Sequence, residues 1–582
     1  MVSLVNEVPR PRVPARLPLG RWLRERTAGL VALALVIGAG AGVGAVVFRW
    51  LITAFTRLFS GHADYSAAGR AAHPWFPALG PWFLLLAPVV AGLVYGPLVQ
   101  KFAPEARGHG VPEVMFAVAE RGGRIPAQVS AVKALASALT IGSGGSVGRE
   151  GPIVQIGSAL GSTLGRVARL PEPRLRVLVA CGAAGGIAAT FNAPLAGPFF
   201  AMELILRDFA AESFGAVVLA SVTASVVGRA VFGNTPFLDL PAFSLASPLE
   251  YLLFVVLGLV VGACGVAFTR VLYLVEDVCD RLWRGPEWLR PAVGGVVLGG
   301  LLLVLPQMYG VGYPVLQNAV EGRYALAFLL VLLVGKVLAT SLTIGIGGSG
   351  GVFAPSLFIG AMAGTAFGIV VHACLPSVTA SPGVYGLIGM GAAFAGAARA
   401  PITAVIVLFE LTGQYTVILP MLTAIVIATA CSRALSRDTI YTLKLRRRGV
   451  DLDRSPAARR LGGRTVAGVV EPLPQPLGAA VPLAAAAHAL AVSGHGVLPV
   501  TAGGEYQGCV TAHAVAEAIA SDHEGTAGDL VELPPEVTRE TSLADAVQAL
   551  ADAPGTGLPV LGPGRELTGW LTHQAVLTGL SE

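Results

Sequence analysis

Two glycine-rich segments interrupt long apolar runs and place backbone amides where an anion could bind. The first is LTIGSGGSVGREGP (139–152), and the second, 203 residues later, is LTIGIGGSGGVFAP (342–355). Glycines let successive N–H groups converge, and the proline that closes each segment is a helix-start signal. Because helix N-termini carry partial positive charge without a counter-ion, the two segments predict an anion site within the apolar part of the chain.

Glu150 is the only carboxylate in these segments, and Phe353 takes its position in the second copy. An ionised carboxylate beside an anion site competes with the anion, and protonation ends that competition. A free glutamate has a pKa of about 4.3, which burial raises and convergent N–H groups lower. Glu150 is therefore predicted to be a proton-sensitive gate. A structural ion pair with Arg149 is the alternative, although adjacent helical residues do not face each other.

The composition places these segments in a membrane. Hydrophobic residues make up 54% of the chain and charged residues 13%, whereas soluble domains are about 25% charged. The first apolar run, 28–48, exceeds the roughly 7–15 residues of a signal-peptide core, so it is predicted to be a first membrane span. The apolar runs hold three isolated carboxylates, Glu150, Glu203 and Glu410. This shortage of acids favours an anion site over a cation site.

The sequence indicates no cofactor, no metal and no enzymatic activity. The six cysteines are scattered singly, without a CxxC pair, so neither a disulfide framework nor a zinc site is predicted. No nucleophile–base pair stands out, and three histidines of the C-terminal region, His488, His495 and His513, are too widely spaced to suggest a ligand set.

Positive charge flanks the apolar region at both ends. The flanking cations are Arg10, Arg12, Arg16, Arg21, Arg24, Arg26, Lys444, Arg446, Arg447 and Arg448. Under the positive-inside rule, both termini are predicted to be cytoplasmic, with an even number of crossings. Nucleic-acid binding would also explain arginines, but membrane-flanking charge accounts for their placement, so no nucleic-acid partner is predicted.

Composition shifts divide the chain into four parts. The predicted parts are a basic N-terminal segment (1–27), a membrane domain (28–435), a basic linker (436–463) and a soluble region (464–582). The membrane domain repeats itself, with cores at about 108–210 and 310–412. Lys133 matches Lys336, and in each copy a glutamate follows a proline by nine positions. Interrupted apolar segments at corresponding places in two halves are typical of transporter folds built from repeats.

The soluble region is also doubled. GVLPVTAGGEYQGCVTAHAV (496–515) is echoed by TGLPVLGPGRELTGWLTHQAV (556–576), and each copy carries a β-rich LPV, a glycine turn, a second strand and a helix. The two units predict one small α/β module.

Several motifs, in order, resemble the CLC family of chloride channels and chloride/proton exchangers. They are GHGVPE (108–113), GREGP (148–152), GVFAP (351–355), FELTGQYTVILPM (409–421) and IYTLKLRRRG (440–449). The resemblance extends from about 28 to 449, and the tail resembles a pair of CBS repeats. It implies a mostly α, polytopic membrane fold with inverted repeats and re-entrant, broken helices. It also implies a homodimer in membrane lipid, with one pore per subunit for chloride or another small anion.

The same resemblance assigns roles to individual residues. Glu150 matches the outer gating glutamate, and Tyr441 would offer its hydroxyl to a central anion. The other predicted anion-binding positions, which contribute mainly backbone N–H groups, are Gly108, His109, Gly110, Arg149, Gly151, Val352, Phe353 and Ala354.

Two positions depart from the CLC pattern, and two more depart from that of nucleotide-binding CBS repeats. His109 replaces the usual central serine, so its imidazole either donates to the anion, titrating near pH about 6.5, or points away and leaves only its backbone in the pathway. Leu204, one residue after Glu203, replaces the inner proton glutamate of many exchangers. Glu203 and Leu204 are the candidate residues of an inner pathway, and a purely structural role is the alternative for Glu203. In the tail, nucleotide-binding CBS repeats often carry an aspartate three residues after a threonine, where Ala514 and Ala575 stand here. Adenine nucleotide is therefore not expected as a ligand.

The leading prediction is anion transport gated by a protonatable glutamate, either coupled to proton antiport or passive as in a channel. Two alternatives come from other classes: a CBS-regulated cation transporter and a membrane-anchored CBS sensor. The shortage of membrane carboxylates disfavours the first alternative. Paired helix breaks are costly for a mere anchor, which disfavours the second.

Overall fold

A computed structural model describes residue 23 and residues 26–234, 238, 245–413, 415–452, 464–553 and 555–581. The chain divides into two compact units, Met1–Arg448 and Gly449–Glu582. Nearly all of the predicted basic N-terminal segment, and residues 453–463 of the predicted linker, lie outside the described residues. The domain ranges given above therefore stay predictions.

The first unit is built of helices that occur twice in the same order. The first half contains α1 (Thr27–Ser60), α2 (Phe83–Phe102), α3 (Val111–Glu120), α4 (Gln128–Gly142), α5 (Glu150–Val167), α6 (Glu172–Phe191), α7 (Ala196–Phe200, continued by a π-helical turn, Ala201–Leu206) and α8 (Ala211–Phe232). The second half contains α9 (Glu250–Leu282), α10 (Arg290–Val304), α11 (Tyr313–Val320), α12 (Leu326–Gly345), α13 (Phe353–Cys374), α14 (Pro382–Ala398), α15 (Pro401–Thr412) and α16 (Ile418–Leu435), and α17 (Thr442–Arg447) follows.

Eight helices of the described residues are long and apolar enough to cross a membrane. Their outer faces leave large apolar side chains uncovered, such as Val36 at 58% exposure, Leu252 at 69% and Val297 at 62%. Between them lie helices too short to span, including α3 and α11. The predicted polytopic, mostly α fold with broken helices is confirmed. The first span is longer than its apolar run, because α1 continues past Arg49, whose guanidinium stacks 4.2 Å from the Phe232 ring.

Matched glycines let helices of each half cross closely. A methyl group on Gly157 of α5 would lie 2.1 Å from the carbonyl oxygen of Gly182 in α6. At the equivalent crossing, a methyl group on Gly360 of α13 would lie 2.2 Å from the carbonyl oxygen of Gly389 in α14. Small residues at such crossings are the usual means of close helix packing in membranes. The correspondence of the two halves in the sequence, with an offset of 203 between Gly157 and Gly360 and of 207 between Gly182 and Gly389, is therefore repeated in the packing.

The second unit consists of two similar α/β halves. Each half has a three-stranded sheet in which the first strand pairs parallel to the second and the second pairs antiparallel to the third. The strands are β1 (Leu477–Gly478), β2 (Val497–Ala502), β3 (Glu505–Thr511), β4 (Val537–Thr538), β5 (Gly557–Leu561) and β6 (Leu567–Thr572), and the helices are α18 (Leu483–Ser493), α19 (Ala512–Ala520), α20 (Leu543–Ala551) and α21 (His573–Ser581). The predicted doubled α/β module is confirmed.

Candidate anion site

The two glycine-rich segments meet in the interior of the first unit. Gly148 donates its N–H to the carbonyl of Gly351 at 2.7 Å, and Gly351 donates to the carbonyl of Gly148 at 2.6 Å. A methyl group on Gly350 would lie 2.1 Å from Cγ2 of Val147. The breaks that the sequence places 203 residues apart therefore touch, and they do so reciprocally, as a two-fold relation between the halves requires.

The flanking contacts repeat the same relation. The Ser146 N–H donates to Oγ1 of Thr343 at 3.1 Å, and the Ser349 N–H donates to Oγ1 of Thr140 at 3.3 Å. Gly108, from the loop before α3, joins the second segment, because it accepts from the Gly350 N–H at 3.3 Å. These contacts satisfy the N–H groups of residues 146, 148 and 349–351 inside the protein, as a bilayer demands.

The matched lysines hold the adjoining loops in place. Lys133 is fully buried, and its Nζ donates to the carbonyls of Ala106 and Gly108, both at 2.8 Å. Lys336 is also fully buried, and its Nζ donates to the three oxygens Ser146 Oγ at 2.9 Å, Gly310 O at 3.2 Å and Val311 O at 2.9 Å. The sequence predicts that Lys133 and Lys336 are equivalent in the two repeats, but only the structure shows which oxygens they bind.

Lys336→Met is expected to lower the free energy of unfolding by about 3 kcal/mol, because buried oxygens lose their donor. Thermal unfolding of the detergent-solubilised protein checks this expectation. Lys101→Met is the matched control, since Lys101 lies exposed near the end of α2. An unfolding temperature for Lys336→Met equal to that of the control would contradict the anchoring role.

Three helix N-termini converge at the breaks. A methyl group on Gly351, just before α13, would lie 2.7 Å from the backbone nitrogen of Gly151 in α5. A methyl group on Gly151 would lie 1.9 Å from the carbonyl oxygen of His109, just before α3. The predicted anion-binding positions that the structure brings together here, all buried, are Gly108, His109, Gly110, Arg149, Gly151, Val352, Phe353 and Ala354. Convergent N-termini supply the partial positive charge that an anion needs.

The Glu150 carboxylate lies at this convergence. The side chain is 1% exposed, and its Oε1 accepts from the Tyr313 hydroxyl at 2.6 Å. Its Oε2 faces the N–H of Ala354, in the first turn of α13, at 3.5 Å. A carboxylate in this position stands where the helix N-terminus would attract a free anion. Tyr313 is a residue that the sequence reasoning passed over, although it stands in GVGYP (310–314), the counterpart of GHGVP (108–112).

An open cavity of about 510 Å³ lies between α1 and α11, and its lining includes Arg149 and Tyr313, the chain neighbour and the hydrogen-bond donor of Glu150. Arg49, Arg149 and Tyr313 contribute to its lining, together with Asp64. The Arg149 guanidinium lies 5.4 Å from the centre of the Tyr313 ring and 5.8 Å from that of Phe191. Two arginines against one aspartate give the cavity a net positive lining, which favours the entry of anions.

His109 is buried without a hydrogen bond. Its ring is 1% exposed, and neither nitrogen has a hydrogen-bond partner among the described residues. The ring centre lies 6.0 Å from that of Tyr273, whose hydroxyl donates to the carbonyl of Ile440 at 2.7 Å. The next residue, Tyr441, is 2% exposed and precedes α17. Through Tyr273, the structure places the two predicted residues, His109 and Tyr441, in one neighbourhood.

Glu203 and Glu410, the other two carboxylates of the apolar runs, each cap a helix of the opposite half. Glu203, on the π-helical turn after α7, accepts from the N–H groups of Ile402 at 3.2 Å and Thr403 at 2.8 Å, in the first turn of α15. Glu410, on α15, accepts from the N–H groups at the start of α7, with Ala196 at 2.7 Å. Leu204 is buried. The pattern of a glutamate nine residues after a proline is therefore a reciprocal helix cap.

These features agree with comparisons to known proteins. A model of the voltage gated chloride channel family matches residues 91–433. A ClcB-like chloride channel protein from Ralstonia nicotianae is 33% identical over 433 residues, which cover 74% of this chain and 99% of the relative. An H(+)/Cl(-) exchange transporter ClcA from Vibrio campbellii is 37% identical over 357 residues, covering 60% of this chain and 76% of the relative.

A solved structure of a slow cyanobacterial Cl-/H+ antiporter is also similar to this chain. The match has a TM-score of 0.64 and 26% sequence identity, and it covers 73% of this chain and 99% of the antiporter. The residues matched by the family model include the paired breaks, the helix N-termini and Glu150. The chain is a multi-pass membrane protein that belongs to the voltage gated chloride channel family, the CLC family.

Proposed function

We propose that this protein carries chloride or a similarly small anion across a cell membrane along a pathway gated by Glu150. The observation that carries the proposal is the position of the Glu150 carboxylate against the first turn of α13, between Tyr313 and Ala354. An ionised carboxylate there excludes an anion from the same N–H groups. Protonation neutralises it and frees the site, so transport responds to pH.

The proposed anion path runs from the open cavity, past the N-termini of α5 and α13, to the neighbourhood of His109 and Tyr441. Backbone N–H groups of Arg149, Gly151 and the segment 352–354 would hold the anion nearest to Glu150. Gly108, His109, Gly110 and the Tyr441 hydroxyl would hold it further along. Helix N-termini and neutral donors suit an anion that must also leave, because they attract it without a full counter-charge.

We further propose that anion movement is coupled to proton antiport. The Vibrio relative and the cyanobacterial structure are named as proton-coupled exchangers. A passive channel is the second candidate, because Leu204 offers no titratable group where many exchangers have an inner glutamate. Glu203 does not replace it in this proposal, since its oxygens cap α15.

The reversal potential separates these candidates. The purified protein is incorporated into planar bilayers with equal chloride on both sides and a pH gradient between them. Exchange predicts a reversal potential that moves with the pH gradient. A potential that stays at zero at every gradient would contradict proton coupling and favour the passive channel.

The assembly and the tail complete the proposal. Homodimerisation in the lipid bilayer is supported by the family resemblance, and cytoplasmic termini by the positive charge that flanks the apolar region. A CBS-type role for the tail is supported by the resemblance and by the doubled α/β architecture. In the tail, the hydroxyls of Thr511 and Thr572 accept from the N–H groups of Ala514 and Ala575 and so cap α19 and α21. Because Ala514 and Ala575 stand where nucleotide-binding repeats carry an aspartate, we propose that the tail stabilises the dimer and binds no adenine nucleotide.

A further inference from the structure

We propose that Tyr313 is a positioning residue, a latch that holds the Glu150 carboxylate in the anion path. The inference deepens the gating role proposed for Glu150 and rests on it. Glu150 is the first residue of α5, in the first half, and Tyr313 is the first residue of α11, in the second half. Their hydrogen bond therefore connects the gate to the opposite repeat.

The contact has the geometry of a strong hydrogen bond. The Tyr313 hydroxyl donates to Oε1 of Glu150 at 2.6 Å, within the range of about 2.5–2.7 Å for hydroxyl–carboxylate bonds. The other oxygen faces the N–H of Ala354 at 3.5 Å, beyond the usual N–H···O range. The contact with Tyr313 is thus the stronger of the two contacts that fix the Glu150 carboxylate.

The loop and the ring that carry the Tyr313 hydroxyl have contacts of their own, apart from Glu150. The loop that leads into α11 is anchored by the buried Lys336, which binds the carbonyls of Gly310 and Val311. The Tyr313 ring lies beside the Arg149 guanidinium, 5.4 Å from its centre. A preorganised donor loses little entropy when it binds, so most of the free energy of its hydrogen bond stabilises the bound carboxylate.

The latch has no counterpart in the other half. Aligning GHGVP (108–112) with GVGYP (310–314) places Val111 opposite Tyr313, and Phe353 opposite Glu150. Glu150 and its donor Tyr313 therefore each occur in only one half, although the surrounding lysines, helix breaks and helix caps occur in both. A residue that served only the packing of the repeats would be expected in both copies.

Loss of the hydroxyl is expected to open the gate. A hydrogen bond to a charged group contributes a factor of roughly 10 to 100 in an equilibrium constant, and it favours the ionised form of the carboxylate. Tyr313→Phe should therefore raise anion flux at neutral pH about tenfold and move the pH of half-maximal flux upward by about one unit. Groups that also act on Glu150 are Arg149, Lys336 and Tyr441. All three stay unchanged in this variant.

The test is chloride efflux from vesicles across a pH series. The proteins compared are the wild type, Tyr313→Phe, Glu150→Gln and the double variant. Tyr324→Phe is the matched control, because Tyr324 follows α11 and its hydroxyl accepts from Asn318 rather than contacting Glu150. The latch predicts that Tyr313→Phe changes flux and pH profile only while Glu150 is present, so the double variant behaves as Glu150→Gln does.

The outcomes separate the latch from the gate. A wild-type pH profile in Tyr313→Phe, with pH dependence lost in Glu150→Gln, would overturn the latch and leave the gate standing. Wild-type pH dependence in Glu150→Gln would overturn the gate itself. If Tyr313→Phe does not fold, Tyr313→Leu also lacks the hydroxyl and carries no other hydrogen-bond donor, and the same criteria decide.

Discussion

Glu150→Gln is expected to carry anions at a rate that no longer depends on pH. Glutamine matches the shape of the protonated side chain but cannot ionise, so no negative charge competes for the N–H groups of α13. Flux at neutral and alkaline pH should rise to the level that the wild type reaches only in acid. Chloride efflux from reconstituted vesicles over a pH series measures this directly.

Glu150→Ala extends the test by removing the side chain altogether. The pathway beside Ala354 is then open to the anion at every pH, and the same flat profile is expected. Glu150 is the carboxylate that the proposed anion path offers to a proton, so both variants should also lose the shift of reversal potential with the pH gradient.

Glu203→Gln is the matched control for these variants. It also neutralises a carboxylate of the first unit, but one whose oxygens accept from the N–H groups of Ile402 and Thr403. Its expected effect is a loss of stability of about 1 kcal/mol, as for the loss of a helix cap, with the pH profile retained. Retained pH dependence in Glu150→Gln, or a flat profile in Glu203→Gln, would contradict the assignment of the gate.

His109→Ser is expected to change the preference between chloride and nitrate by about tenfold, the effect of exchanging one hydrogen bond to a charged group. The imidazole is buried, and neither nitrogen has a protein partner among the described residues. A buried polar group without a partner is costly, so an anion that accepts its N–H would compensate that cost. Serine offers a smaller donor in a different position.

The measurement is the ratio of chloride to nitrate flux in vesicles at one pH. His372→Ser is the control, because His372 lies near the C-terminal end of α13 and contacts Thr379. Equal ratios in the wild type and His109→Ser would support the other reading, in which the imidazole points away and only the backbone of residue 109 serves the pathway.

The features that could be predicted from the sequence are those that residues impose on their own stretch of the chain. Glycine clusters, closing prolines and the long apolar runs indicate broken membrane helices, because these residues act on their own backbone. The match between the two halves then indicated that the breaks at Gly148 and Gly351 belong together. Glu150 stood out because its counterpart is Phe353.

The remaining features depend on contacts between distant residues. The Tyr313 hydroxyl reaches Glu150 across 163 positions, and nothing in the tyrosine's neighbours along the chain marks it as a donor to that carboxylate. The glutamates after each proline were visible as a repeat, but their crossed caps on α15 and α7 required the packing of the halves. Arg49 lies within an apolar helix, so its place in the lining of the open cavity likewise followed only from the fold.

The N-termini of α5 and α13, one from each half, are expected to form a single anion site. Crystals of Glu150→Gln soaked in bromide test it most directly, because bromide is located by its anomalous scattering and the variant no longer blocks the site. A bromide peak is expected within hydrogen-bonding reach of the N–H groups of Val352, Phe353 and Ala354. Empty density at that point, in a variant that still carries bromide across vesicles, would contradict it.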